Sequence, residues 1–282
     1  MPTHPLCRLA KENGFPLLFS YFLCHKLNNS FNLIQSMISI QLRFYEELND
    51  FLPLEKRKRH FIHTLAQRTS IKDLIESLGI PHTEVEIILV NGKSVNFNYL
   101  VKDKDDISVY PVFEAFDASE LIQLRPQPLR KPRFILDVHL GKLARYLRLL
   151  GFDVIYENNL TDEKIIQLSI KEHRIVLTRD VGILKNKYIT HGHWMHHTDP
   201  EKQIREVVRQ FQLKKQCHPF TRCLSCNGLL KKVEKGEIIK DIPTLAQKYY
   251  DTFMQCQSCK KVFWEGSHFF KLKIQVEKIL RD

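Results

Sequence analysis

Phe134-Ile-Leu-Asp-Val-His-Leu-Gly-Lys-Leu-Ala-Arg-Tyr-Leu-Arg-Leu-Leu-Gly151 opens on an apolar run broken by one acid, Asp137. It continues into a helix over 140–150 that Gly151 closes. Two units of the same kind follow. Phe152-Asp153-Val154-Ile155-Tyr156 reads as a strand and leads to Thr161-Asp162-Glu163, where Thr161 caps a helix over 162–171 with Ile165, Ile166 and Leu168 towards a sheet. Ile175-Val176-Leu177-Thr178 ends at Arg179-Asp180, ahead of a short helix over 181–187. Ile204, Val207, Val208 and Phe211 then recur at helical spacing over 201–211. Strands alternating with helices across 134–213 make an α/β unit, a parallel sheet flanked by helices.

Ligands of such sheets bind at the carboxyl ends of the strands, and Asp137, Asp162 and Asp180 all stand there. Converging carboxylates repel one another unless a cation sits among them, and Mg²⁺ or Mn²⁺ suits a set made of oxygens. Each acid also has a plainer role. Asp162 gains from the dipole of the helix it opens, and Asp180 can cap the helix that begins at Val181. Asp137 has least room for such a role, because a carboxylate in a buried strand is costly unless paired or coordinated. Lys142, Arg145 and Arg148 share one basic stripe beside Asp137; the first two lie nearest the acidic edge, as substrate-phosphate contacts, and Arg148 reads as part of a solvated face. Thr178, on the same substrate side, is placed to orient a carboxylate or a metal-bound water. His191, His193, His196 and His197 alternate as in a strand followed by a turn, which favours exposed imidazoles over acid–base chemistry.

The chain of 282 residues carries a net charge of +11, unevenly spread. Residues 37–118 sum to −3, residues 125–213 to +6 and residues 214–282 to +7, so the positive charge belongs to the last two units. A basic excess confined in this way is the footprint of a polyanion partner, here a nucleic acid. No stretch reaches the ~18 apolar residues a membrane span requires, and no small-residue cleavage site follows the apolar run at 15–24. Residues 1–36 form an unassigned extension, and Met37 is a plausible functional start.

Residues 37–118 read as a small α+β unit. Ile38, Ile40, Leu42 and Phe44 alternate with polar residues in a first strand, and 60–65 is its partner. Thr69 or Ser70 caps a helix through Leu78; strands over 85–90, 95–97 and 107–112 follow, with Asn91-Gly92 as a hairpin turn. That order is a ubiquitin-like β-grasp. Its chain runs on through Val112 instead of ending in Gly-Gly, which rules out sulfur-carrier chemistry and leaves a module for protein binding or RNA positioning. Residues 119–133, rich in prolines and basic residues, make a linker.

Cys223-x₂-Cys226 and Cys256-x₂-Cys259 are two knuckles of a zinc ribbon within 214–282, which ends in a helix over 269–280. Four thiolates satisfy tetrahedral Zn²⁺ and leave no position for water, so the site is structural. Redox pairs or unligated cysteines are the competing readings. Paired Cys-x-x-Cys spacing favours metal binding in a reducing compartment, hence a cytoplasmic protein. Cys7 and Cys24 look incidental, and Cys217 and His218 lie close by as spare ligands.

Residues 134–151, Thr161-Asp-Glu-Lys-Ile165, Val176-Leu-Thr-Arg-Asp180, Phe220-Thr-Arg-Cys-Leu-Ser-Cys-Asn-Gly-Leu-Leu230 and Val262-Phe-Trp-Glu-Gly-Ser-His268 together resemble the mutator-type C-terminal RNase family, a branch of the PIN-like nucleases. Proteins of that family often carry a ubiquitin-like domain in front, matched here by Arg43-Phe-Tyr-Glu-Glu-Leu-Asn-Asp-Phe-Leu-Pro53. The resemblance implies a metal-dependent ribonuclease in which Asp137, Asp162 and Asp180 hold the divalent ion. Val181-Gly182 stands where PIN sites often have a fourth acid, leaving Glu163 or Asp199 to serve. A non-catalytic, zinc-bearing RNA-binding protein is the alternative.

Overall fold

The computed structural model of the chain describes residues 37–111 and 131–281, so the expected extension 1–36 and nearly all of the expected linker lie outside the described residues. The first unit has strands β1 (Ile38–Phe44), β2 (Phe61–Leu65), β3 (Ile87–Val90), β4 (Lys93–Ser94) and β5 (Asp106–Tyr110), in the order β2-β1-β5-β3-β4. β1 pairs antiparallel with β2 and parallel with β5, the β-grasp arrangement. Along β1 the residues Ile40, Leu42 and Phe44 point into the core while Ser39 and Gln41 face out, the period-2 pattern of the sequence. Helix α1 (Ile71–Ser77) is capped by Ser70, whose hydroxyl accepts the Asp73 N–H at 3.1 Å. The helix buries Ile71, Leu74 and Ile75 against the sheet.

The strand expected over 95–97 is absent. Ladder pairing stops at Ser94, and Val95 and Phe97 are partly buried against the core, so their apolarity serves packing. Asn91 and Gly92 both adopt positive φ, as a tight two-residue turn demands.

The central unit is built from β6 (Arg133–Leu136), α2 (Gly141–Leu149), β7 (Asp153–Ile155), α3 (Asp162–Glu172), β8 (Ile175–Thr178), α4 (Val181–Leu184), β9 (Gly192–Trp194) and α5 (Pro200–Gln210). The sheet is wholly parallel in the order β7-β6-β8-β9. Phe134 and Leu136 pack with α2 and α5 on one face, and Ile135 and Val176 pack with α3 and α4 on the other. Burial on both faces explains why the strands read as unbroken apolar runs. Between β6 and β8 the chain reverses its direction of progress across the sheet, and that switch point is where open α/β sheets bind ligands.

The last part has β10 (Leu230–Val233), β11 (Phe253–Cys256) and β12 (Val262–Trp264) in one antiparallel sheet, with α6 (Thr244–Tyr249) between β10 and β11 and α7 (Ser267–Arg281) at the end. It does not stand apart at the expected 213/214 boundary. Val276 and Ile279 of α7 are part of the central core. Arg148, expected on a solvated face, is buried instead: its guanidinium donates to the carbonyls of Val154 (3.0 Å) and Ser225 (2.9 Å), tying the sheet to the zinc knuckle. Asn227 strengthens the weld by accepting the Val154 N–H and donating to Asp153. Gly151 has φ +96°, and a Cβ there would collide with the His218 carbonyl, so the turn joining α2 to β7 admits only glycine. Among the described residues, no helix is long and apolar enough to cross a membrane.

The β-grasp unit sits against the outer strand β9. His82 Nε2 meets the Ile189 carbonyl at 3.0 Å, and Lys185 donates to the Glu76 carbonyl at 2.8 Å. Glu84 accepts the Trp194 N–H at 2.6 Å, and Phe51 packs on the Trp194 ring at 4.9 Å. His193 lies fully enclosed between Glu84 (3.2 Å) and Glu206 (2.9 Å). The histidine cluster is thus an interface, and its cause is Glu84, from a distant part of the chain.

Burial alone would lower the His193 pKa, but the two carboxylates outweigh it and hold it up to about 9. With the folded pKa above the ordinary 6.5, the imidazolium's contribution is fully present below about pH 6.5 and lost as pH rises through about 9. We expect stability on the order of 3 kcal/mol to disappear over that window. Urea unfolding at pH 6, 8 and 10 measures it. A His193→Gln chain, lacking the titrating group, should lose most of that pH dependence.

Candidate active site

Asp137 follows β6 directly, Asp180 follows β8 with one residue between, and Asp162 opens the helix that follows β7. All three therefore stand at the carboxyl rim of the parallel sheet, two of them flanking its switch point. Asp137 is only 7% exposed, and among the described residues no cation pairs with it. Its Oδ2 accepts the Thr178 hydroxyl at 3.0 Å. The same hydroxyl oxygen accepts the Asp180 N–H at 2.9 Å. Thr178 is fully buried, so it is a positioning residue and not the substrate contact expected: it locks Asp137 to the loop carrying Asp180.

Asp180 is exposed and caps α4, Oδ1 accepting the Gly182 N–H at 2.6 Å. The capping role anticipated for it is real, and it leaves Oδ2 without a hydrogen bond among the described residues. Asp162 is exposed, and its carboxyl is held above the usual range, first by partial burial and then by the negative charges of Asp180 and Asp137. A pKa raised by Asp180 and Asp137 places the three carboxylates in one electrostatic neighbourhood.

Both acids considered as a fourth ligand have local roles. Asp199 caps α5, its Oδ1 accepting the N–H groups of Glu201 and Lys202 at 3.0 Å each, which leaves its Oδ2 without a hydrogen bond among the described residues. Glu163 has its pKa lowered by its own backbone N–H and the Thr161 hydroxyl.

Lys142 and Arg145 line a cavity of about 560 Å³ with Val138, His139, Tyr156, Asn158 and Gln203. The cavity adjoins Asp137 through Val138 and His139, the next two residues of the chain, and none of the three aspartates lines it. Tyr156 shapes it, donating its hydroxyl proton at 2.9 Å to the Val138 carbonyl or to Asn158 Oδ1. The ring stands so close to Gly141 that a Cβ would lie 2.6 Å from the phenol oxygen. Tyr156 was legible in principle: it follows β7 at the carboxyl end, the same topological place as the acids. Trp194 was not, since its indole donates at 3.1 Å to the Arg179 carbonyl, beside Asp180, from a strand that local pattern cannot pair.

The four cysteines converge. Their sulfurs all lie within 4.8 Å of one another, with Cys223–Cys259 at 3.7 Å and Cys226–Cys256 at 3.4 Å. Zn–S bonds of about 2.3 Å in a tetrahedron put sulfurs about 3.8 Å apart, so this set can hold zinc. Asn227 and Lys260, each following the second cysteine of a knuckle, both adopt positive φ, which makes the two knuckles matching turns. The 29-residue gap between knuckles is filled by β10, the 3₁₀ segment Lys235–Asp241 and α6. The three aspartates are not drawn as close. Among the described residues only the cysteines form a set of three or more ligand atoms at such spacing. The donor chemistry nevertheless fits a hard divalent ion, since all three acids are carboxylates and Asp137 and Asp180 each keep one oxygen free of hydrogen bonds among the described residues.

Residues 132–276 match the family model of the Mut7-C RNAse domain, and residues 37–117 match that of the Mut7-C ubiquitin. No curated protein and no solved structure matches the chain.

Proposed function

The chain belongs to the Mut7-C RNAse domain family, and on that premise we propose that it hydrolyses RNA phosphodiester bonds with Mg²⁺ or Mn²⁺ held by Asp137, Asp162 and Asp180. The observation that carries this reading is Asp137 itself, a nearly buried carboxylate paired with no basic side chain among the described residues, at the switch point and beside two further acids. A divalent ion held there supplies an activated water and takes up charge on the leaving oxygen. Thr178 fixes Asp137, the α4 turn fixes Asp180, and Asp162, exposed at the first turn of α3, would complete the set. Lys142 and Arg145 hold the phosphates on either side of the reacting one. The cavity they line is open, which favours cleavage within the strand, leaving a 5′-phosphate. Zinc at the four cysteines is structural. The β-grasp unit is the surface for a protein partner.

A circular RNA incubated with the purified chain and Mn²⁺ tests this. Conversion to linear products with 5′-phosphates is expected. The wider spacing of the three aspartates, which do not approach one another as the cysteines do, favours the alternative, a non-catalytic RNA-binding zinc protein, which predicts retention of the circle by binding without any product. Circles left intact while linear RNA is shortened would mean end-directed cleavage.

Trp194 links the β-grasp unit to this chemistry. Glu84 and Phe51 hold it from one side, and its indole N–H holds the Arg179 carbonyl on the other. Trp194→Phe keeps the ring contact and removes only the N–H. One such hydrogen bond is worth about 1 kcal/mol, so the Mn²⁺ concentration for half-maximal cleavage should rise about fivefold, with thermal stability nearly unchanged. Mn²⁺ titration followed by electron paramagnetic resonance reads the same shift without turnover.

A further inference from the structure

A cavity of about 680 Å³ opens between α5, the 3₁₀ turn Leu213–Gln216 and the end of α7. Five cations line it: Lys202, Arg205, Arg209, Lys214 and Lys215. The one carboxylate among its lining residues, Glu206, is taken by His193 at 2.9 Å and by the His196 N–H at 2.9 Å. Glu201, on the same helix, is taken by Lys278 at 2.7 Å. Lys202, Arg209, Lys214 and Lys215 are exposed and make no ion pair among the described residues.

Lys202, Arg205 and Arg209 share one side of α5, while Ile204, Val207 and Val208 are buried in the core. Like charges three and four residues apart on a helix destabilise it by a few tenths of a kcal/mol per pair. Lys202, Arg209, Lys214 and Lys215 have no ion pair among the described residues to account for their clustering. The cavity also lacks the aromatic and aliphatic anchors a protein interface needs, with only Val208 and Ile279 apolar.

The cavity beside the acids reaches the same end of α5: His197 and Lys202 line this cavity, and Thr198, Pro200 and Gln203 line the other, with no lining residue shared. From Lys202 to Arg209 the row extends roughly 10 Å along the helix axis. We propose that this cavity is a second RNA-backbone site, which grips the strand at a distance from the bond that is cut. The identity of the polyanion rests on the nuclease reading.

The test uses the full chain carrying Asp137→Asn, so that nothing is cut, and a fluorescent twelve-nucleotide RNA followed by anisotropy. Lys202→Gln/Arg209→Gln and Lys214→Gln/Lys215→Gln should each weaken binding about tenfold. Each pair should also reduce the slope of log affinity against log salt by about 1.4, or about 0.7 per lost phosphate contact. The exposed pair Lys271→Gln/Lys273→Gln on α7, outside the cavity, should change neither. Unaltered affinity and slope in both cavity pairs overturns the site and leaves an acidic protein surface as its occupant. Equal loss in the α7 pair overturns it too, because overall charge would then be the cause. If the native chain fails to cut RNA yet the cavity variants still lose affinity, the nuclease reading falls and this site stands.

Discussion

Asp137→Asn should eliminate Mn²⁺-dependent RNA cleavage, lowering the rate by about 10³-fold or more, while RNA affinity stays within about twofold. The rate follows from charge. Carboxylate-held metal supplies several kcal/mol of transition-state stabilisation, and about 4 kcal/mol is a factor of 10³. Asparagine has nearly the shape of aspartate and can still accept the Thr178 proton, so the contact at 3.0 Å is preserved and folding is spared. It removes the negative charge that the rim directs at a cation. Affinity persists because the phosphate contacts lie on Lys142 and Arg145, in a cavity that Asp137 adjoins without lining. Single-turnover cleavage and anisotropy on the same preparation separate the two quantities. Cleavage at the native rate would remove the aspartates from the chemistry. Equal loss of binding and cleavage would make Asp137 a folding residue. A Thr178→Val chain should show a smaller defect of the same kind, since it frees the carboxylate without discharging it.

Removal of zinc should have the second large effect. Structural zinc in small cysteine sites contributes an apparent binding free energy of about 10–16 kcal/mol, comparable to the whole stability of a domain, about 5–15 kcal/mol. Cys256→Ser, at a sulfur with no solvent exposure, should therefore unfold the β10–β12 sheet and lower the melting temperature by about 10 °C or more. The damage should spread into the central unit. Arg148 would lose its Ser225 acceptor, Val154 its Asn227 partner, and α7 its firm connection to β12. Metal analysis should find one zinc per native chain and none in the variant. Cys217→Ser is the control: burial pushes that thiol up to about 11 and it lies outside the four-sulfur set, so its loss should leave zinc content unchanged. Normal melting in a zinc-free Cys256→Ser chain would remove the structural role.

How much could be read without coordinates depended on the range of the forces involved. Asp137, Asp162 and Asp180 were legible because a strand that alternates with helices puts its carboxyl end at one rim, a consequence of backbone geometry. The cysteine knuckles were legible because two intervening residues let both sulfurs face one ion. The β-grasp order was legible because each element carries its own period, cap or turn, as Ser70 and Asn91-Gly92 do. Arg148 was misread for the complementary reason. Its helical spacing matches that of Lys142 and Arg145, and only the knuckle, more than seventy positions downstream, turns its face inward. Thr178 looked like one more strand residue near a substrate until burial assigned its hydroxyl to Asp137 and the Asp180 backbone.

The histidines carry the same lesson further. Alternation in 191–197 was compatible with exposed rings, but Glu84 closes over His193 from another folding unit and converts it into a buried cation. By itself the sequence determined most of the elements, their order, the rim on which the acids stand and the cysteine pairs that can hold zinc, because these follow from periods and spacings within a few turns of chain. The tertiary structure alone decided which polar faces are covered and how the β-grasp unit reaches Arg179 through Trp194. Those outcomes depend on desolvation by partners tens of residues away, and local pattern carries no record of which partner that is.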